Sequence, residues 1–143
     1  MTYQLLKLID DPDIPSLLSR YRCPSISRFI SIDEKNYWRY VAKTPNVFFY
    51  KVYLNDVLVA TTHLELAERV LYMDVAVFPE YQRRGIATNI LKDIQGGKLG
   101  PDFDKIQVSI DEKNIASLKL FKNMGFACIG QDEELLDYMY IKS

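Results

Sequence analysis

The amino-acid sequence predicts an α/β (α+β) layer sandwich, with a mixed, mostly antiparallel sheet of about six to seven strands, about four flanking helices, and a single domain over residues 1–143. Three observations predict it. Three strand-forming runs follow one another between residues 47 and 78 with only short turns between them. After Pro79 the apolar spacing switches from a period of two to one of about 3.6. From residue 105 a strand pattern, a helix pattern and two more strand patterns close the chain.

In order, residues 3–9 read as a short strand that Asp10-Asp11-Pro12-Asp13 ends, because Asp and Pro favour a turn and a helix start. A short helix follows to Tyr21. A second helix is expected from Ser31, where Ser31-Ile32-Asp33-Glu34 fits a capping box and Tyr37, Trp38, Tyr40 and Val41 recur at helical spacing; it stops before Pro45. Residues 47–54, 57–66 and 69–78 form a meander, with Asn55-Asp56 as a tight turn. Ile86, Ala87, Ile90, Leu91 and Ile94 line one side of a helix that Gly96-Gly97 closes. A strand over 105–110, a helix over 114–124 ended by Gly125, and strands over 126–129 and 135–141 complete the layers.

Composition narrows function. Eighteen Lys and Arg nearly balance nineteen Asp and Glu, for a net charge of -1, and only Gln82-Arg83-Arg84 is locally cationic, so the broad basic surface of a nucleic-acid binder is missing. Cys23 and Cys128 lack metal spacing and His63 is the only histidine, so no metal site is expected, and a reduced cytoplasm fits. No signal-peptide pattern opens the chain, and no apolar run has membrane-spanning length.

The chemistry concentrates at the junction of a strand ending in Val75-Ala76-Val77 with a helix opened by Gln82-Arg83-Arg84-Gly85-Ile86-Ala87-Thr88. The first turn of a helix has N–H groups without intrahelical partners, and the macrodipole adds partial positive charge there, so backbone alone can hold phosphate oxygens. Glycine at 85 and alanine at 87 permit close approach. The G-K-[ST] ending of a P-loop and the paired early glycines of a dinucleotide fingerprint are both missing, which disfavours a phosphotransferase.

The run from Val75 to Ala87 resembles the pyrophosphate loop, Q/R-x-x-G-x-G/A, of the GNAT (Gcn5-related N-acetyltransferase) superfamily. The run from Asn114 to Phe126 is similar to its second motif, N-x-x-A/S-x-x-L-Y-x-x-x-G-F. The resemblance implies acetyl-CoA as cosubstrate and an amine on a small molecule or peptide as acceptor, with no nucleic acid, membrane or metal partner. It implies that the backbone of Val75, Ala76 and Val77 pairs with the pantetheine amides. The loop Gln82, Arg83, Arg84, Gly85, Ile86, Ala87 and Thr88 would hold the pyrophosphate, and Asn114 and Phe121 would meet the pantetheine arm. The family often has tyrosine where this chain has Phe121, which removes a common proton donor for the departing thiolate. Leu71 stands where several protein-acetylating relatives place a glutamate, and Ser109 at another acidic position. A homodimer is common among such proteins, and nothing in the sequence itself signals one.

An acceptor with the pKa of lysine is neutral in only about one molecule in 2,500 at pH 7, a barrier of roughly 4.6 kcal/mol unless deprotonation is assisted. Glu65 and Asp74 are the leading candidates for the base, ahead of Glu80. His63 reads as a strand-surface residue. Tyr37, Trp38, Tyr40, Phe48, Phe49 and Tyr50 read as core packing, and Asp132, Glu133, Glu134 and Asp137 as a solvated acidic loop. The alternative to an N-acetyltransferase is a non-catalytic acyl-CoA-binding or regulatory module, favoured by Phe121 and by the absence of an unambiguous base.

Overall fold

β-Branched and aromatic residues take the extended state where they are densest. In the computed structural model, which describes residues 1–142, they form β2 (Val47–Leu54), β3 (Val57–Ala67) and β4 (Val70–Val77), preceded by β1 (Thr2–Leu5). Further along come β5 (Lys105–Asp111), β6 (Ala127–Asp132) and β7 (Leu135–Ile141), and the hydrogen-bonded order is β1-β2-β3-β4-β5-β7-β6. Five helices accompany these seven strands among the described residues: α1 (Ile14–Arg22), α2 (Pro24–Ser27), α3 (Tyr37–Lys43), α4 (Ile86–Gln95) and α5 (Ile115–Asn123). The mixed sheet with flanking helices is the expected class. Among the described residues no helix is long and apolar enough to cross a membrane.

The chain divides into two units, Met1–Leu64 with Val75–Ile86, and Glu65–Asp74 with residues 87–142. In the first, β1 pairs antiparallel with β2, from Thr2↔Tyr53 to Leu5↔Tyr50. Asn55 and Asp56 both take positive φ (52° and 65°), the conformation a two-residue hairpin needs. Leu6, Leu17, Tyr21, Trp38, Phe49 and Phe78 belong to one core cluster. Burying a side chain such as Phe49 or Phe78, 0% and 1% exposed, contributes roughly 1.5–3 kcal/mol.

Two boundaries differ from expectation here, the first because the backbone turns early and the second because side chains found other partners. β1 ends at Leu5 rather than residue 9: the Leu6 N–H still donates to the Phe49 carbonyl at 2.8 Å, but Leu8 and Ile9 are exposed and the Asp11 N–H turns back to the Leu8 carbonyl. The second helix starts at Tyr37, not Ser31. Glu34, needed for the capping box, instead accepts from Arg22 Nε at 2.7 and 2.9 Å, and the Asp33 carboxylate takes the Lys35 N–H and the Asn36 amide. The short α2, started by Pro24 at its first turn, was not anticipated.

Inside the same unit Lys51, 2% exposed, donates to Asp11 Oδ2 and Asp13 Oδ2, both at 2.8 Å, and Tyr53 donates to Asp13 Oδ2 at 2.6 Å. Asp13 stands at the N-cap of α1 without capping it, because its carboxylate serves Lys51 and Tyr53. Those bonds hold the Asp13 carboxyl below its ordinary range. Burial pushes the Lys51 ammonium down, and the bonds to Asp11 and Asp13 outweigh it, so the net direction is upward.

In the second unit β4 and β5 pair in parallel, Val70↔Lys105, Leu71↔Ile106 and Tyr72↔Gln107. β5 runs antiparallel to β7 from Lys105↔Ile141 to Asp111↔Leu135, and β6 pairs with β7 across a register shift between Cys128 and Gly130. The turn after β3 puts Glu68 and Arg69 at positive φ (49° and 66°), unusual for these residue types. Arg69 is held there by Asp102 and Asp104, each at 3.0 Å, and by its carbonyl accepting the Asp104 N–H at 2.8 Å. Lys142 and Arg69 together draw the Asp102 carboxyl down to about 2.

Candidate functional site

The loop between β4 and α4 is shaped by Pro79, which starts a 3₁₀ turn over Pro79–Tyr81, and by the Gln82 side chain, whose Nε2 donates to the Val77 carbonyl at 3.0 Å. Gln82 thus ties the loop to the end of the strand. Arg83 and Gly85 both take positive φ (64° and 77°), and residues 82–85 are exposed. A Cβ placed on Gly85 would meet nothing within 4 Å, so its peptide borders open space. Glycine takes this φ without the steric cost a side chain would meet, and its lack of a side chain leaves the following helix start uncovered. Ile86 is buried at 4%, Ala87 and Thr88 are half-buried, and an exposed loop leading into a ten-residue helix fits an external anionic group.

Val75 and Val77 are half-buried and Ala76 is a core residue, so Ala76 has only its backbone to offer. Asn114 is the N-cap of α5, where its Oδ1 accepts the Ser117 N–H at 3.3 Å. Phe121, 2% exposed, packs edge to face on Phe126 with centroids 5.0 Å apart. Ser109 donates to the Asp137 carboxylate at 2.6 Å, which takes Asp137 out of the expected acidic loop, and Leu71 is buried at 1%.

Glu65 on β3 and Asp74 on β4 are both half-buried. Glu80 is committed elsewhere: Arg20 Nη1 and Nη2 grip its two oxygens, the second at 2.7 Å, while the guanidinium lies 4.7 Å over the Phe78 ring. The paired guanidinium holds the Glu80 carboxyl below its ordinary range, which makes it a poor base.

Two pairs in the first unit escaped sequence reasoning. Tyr21 and Thr61 share a buried hydrogen bond at 2.6 Å, and Tyr37 Oη lies 2.6 Å from His63 Nδ1. His63 is therefore half-buried and bonded rather than a plain surface residue. Residues 26 apart have no spacing rule that links them, so neither the helical recurrence of Tyr37 and Tyr40 nor the alternation along β3 announces the contact. An open cavity of about 320 Å³ in the same unit is lined by Tyr21, Arg22, Ser27, Ile30, Ser31, Ile32 and Glu34.

The chain thus combines a seven-stranded mixed sheet with an exposed strand–loop–helix junction, and comparison with known proteins gives the family. Residues 14–126 match the acetyltransferase (GNAT) family, and the chain belongs to that family. Its fold is similar to that of the Campylobacter jejuni N-acetyltransferase PseH in complex with acetyl coenzyme A, with a TM-score of 0.79 and 9% identity over 99% of each chain. It is also similar to the ribosomal-protein-S18-alanine N-acetyltransferase from Escherichia coli, with a TM-score of 0.74 and 15% identity over 99% of this chain and 95% of that one. The PaiA N-acetyltransferase from Thermoplasma acidophilum in complex with coenzyme A gives a TM-score of 0.74 and 15% identity over 99% of each chain. No curated protein matches the sequence.

Proposed function

We propose that residues 1–143 act as one N-acetyltransferase domain that moves an acetyl group from acetyl-CoA to a primary amine by direct attack in a ternary complex. Family membership supports the transfer, and the PseH and PaiA structures carry acetyl-CoA and CoA. The observation that carries the cofactor assignment is the exposed loop at residues 82–85, with positive φ at Arg83 and Gly85 and open space over Gly85. A diphosphate-bearing thioester fits it.

In this reading the N–H groups of Gln82, Arg83, Arg84, Gly85, Ile86, Ala87 and Thr88 hold the diphosphate, and Arg83 and Arg84 add positive charge. The main chain of Val75, Ala76 and Val77 pairs with the pantetheine amides. Asn114, once its capping bond is made, has its amide N–H₂ to donate to the same arm, and Phe121 backs it as packing. The bound thioester supplies an activated acyl carbon and a thiolate leaving group. Across the reaction a C–S and an N–H bond break while a C–N and an S–H bond form. Glu65 and Asp74 are the carboxylates proposed to receive the amine's proton, directly or through water. The free thiols of Cys23 and Cys128 suit a reduced cytoplasm.

The test follows free thiol while the protein is incubated with acetyl-CoA and a panel of alkylamines, polyamines, amino acids and peptides. Amine-dependent thiol release is expected. Tight CoA association without release by any amine would replace this reading with a non-catalytic acyl-CoA-binding module.

A further inference from the structure

We propose that Arg20 is a positioning residue for the cofactor: its grip on Glu80 cancels the one carboxylate between Val75 and Thr88 and keeps the loop before α4 receptive to a diphosphate. This rests on the cofactor reading above. Glu80 is then the loop's own competing anion, and Arg20 is what removes it from the competition.

The need for such a residue follows from the sequence of the loop. Between Val75 and Thr88 the charged residues are Glu80, Arg83 and Arg84. Glu80 belongs to the 3₁₀ turn over Pro79–Tyr81, two residues ahead of Gln82. Three peptide links of about 3.8 Å each keep its Cα within about 11 Å of that of Arg83. A glutamate with an ordinary pKa of about 4.3 is ionised at pH 7 with or without a partner. Left bare at about one Debye length, it repels a phosphate and can itself accept from N–H groups that an outside anion would use.

Arg20 answers both hazards. It stands in the last turn of α1, and its Nη1 and Nη2 donate to the two carboxylate oxygens of Glu80, the second at 2.7 Å. A planar guanidinium that meets both oxygens offsets the charge and occupies the acceptors at once. The grip is also anchored: the guanidinium lies 4.7 Å over the ring of Phe78, which is 1% exposed and whose N–H donates to the Val59 carbonyl at 3.0 Å. Arg20, Phe78 and residues 79–86 all belong to the first unit. With Glu80 drawn onto α1, the rest of the loop keeps its own ties: the Tyr81 N–H donates to the Phe78 carbonyl at 2.9 Å, Gln82 reaches the Val77 carbonyl, and Arg84 lies 5.8 Å over the Tyr81 ring.

A tie that merely stiffened the loop would be broken equally from either end, whereas a cancelled charge would not. This asymmetry is the test, read as the Kd of CoA by calorimetry at low salt. Arg20→Met bares the carboxylate and is expected to raise Kd about tenfold, or roughly 1.4 kcal/mol. Glu80→Gln removes the charge with its partner still present and is expected to change Kd less than about twofold, and the double variant Arg20→Met/Glu80→Gln returns to within about threefold of wild type. Arg20→Lys, which keeps the charge, stays within about threefold. The deficit of Arg20→Met shrinks to less than about threefold at about 0.5 M salt. An exposed ion pair contributes little to stability, so the variants fold, and thermal melting checks that they do.

Unchanged affinity in Arg20→Met, or a loss in Glu80→Gln equal to it, or no recovery in the double variant, overturns the proposal alone. An unaltered protein that does not bind CoA overturns the cofactor reading and the proposal with it.

Discussion

Two helix starts in this chain treat their backbone amides in opposite ways. At α5 the residue before the helix is Asn114, whose side chain folds back to accept the Ser117 N–H, so the helix closes part of its own electropositive end. At α4 the residue before the helix is Gly85, which has no side chain to fold back and sits at φ 77° beside open space. The contrast sets the start of α4 apart as the candidate site. A start closed by its own side chain is a structural element, and one preceded by an exposed glycine turn is available to an outside anion.

The closed end of this contrast is most extreme at Lys51, and the largest effect is expected there. Lys51→Met leaves Asp11 buried without its cation and is expected to cost about 3–5 kcal/mol, read by chemical denaturation. A loss near that of an ordinary surface substitution would break the comparison. The pH dependence has two signs. Asp13, depressed in the folded state, contributes stability that is present above its unfolded pKa and is lost as pH falls through the lower folded value. Lys51, raised in the folded state, contributes stability that is present below its unfolded pKa and is lost only as pH rises through the higher folded value.

At the open end, Gly85→Val forces a β-branched residue into positive φ and covers the amides, and is expected to weaken CoA association about 30-fold, or roughly 2 kcal/mol. Unchanged affinity would close α4 to the role given it here. Phe121→Tyr sharpens the point from the closed side. Its ring is 2% exposed against Phe126, so the added hydroxyl enters a packed apolar site and should cost about 1–3 kcal/mol without raising kcat. Activity that rises instead would show that the family's tyrosine chemistry is recoverable at this position. The smallest effect is expected for Asn114→Ala, about 1 kcal/mol of stability from the lost cap.

What could be read from the residues and what could not divides along the same line. β2 and the helix over Ile86–Gln95 were legible because they rest on local rules: branched and aromatic density, and a 3.6-residue stripe closed by glycines. The helix start misplaced at Ser31 obeyed a local rule too, but Arg22, twelve residues away, took Glu34 first. The same holds for Glu80 and Arg20, 60 residues apart, and for Lys51 with Asp11, 40 apart. Charge pairs across such separations are set by tertiary packing, and no periodicity announces them. The strand–loop–helix junction was therefore readable from the residues, whereas the pairing of Glu80 with Arg20 beside it was not.

The central claim is tested most directly by titrating CoA into the folded protein in a calorimeter. The account predicts one saturable association per chain whose heat is strongly reduced in the Gly85→Val variant. The absence of any association with CoA or acetyl-CoA by the unaltered protein would contradict it.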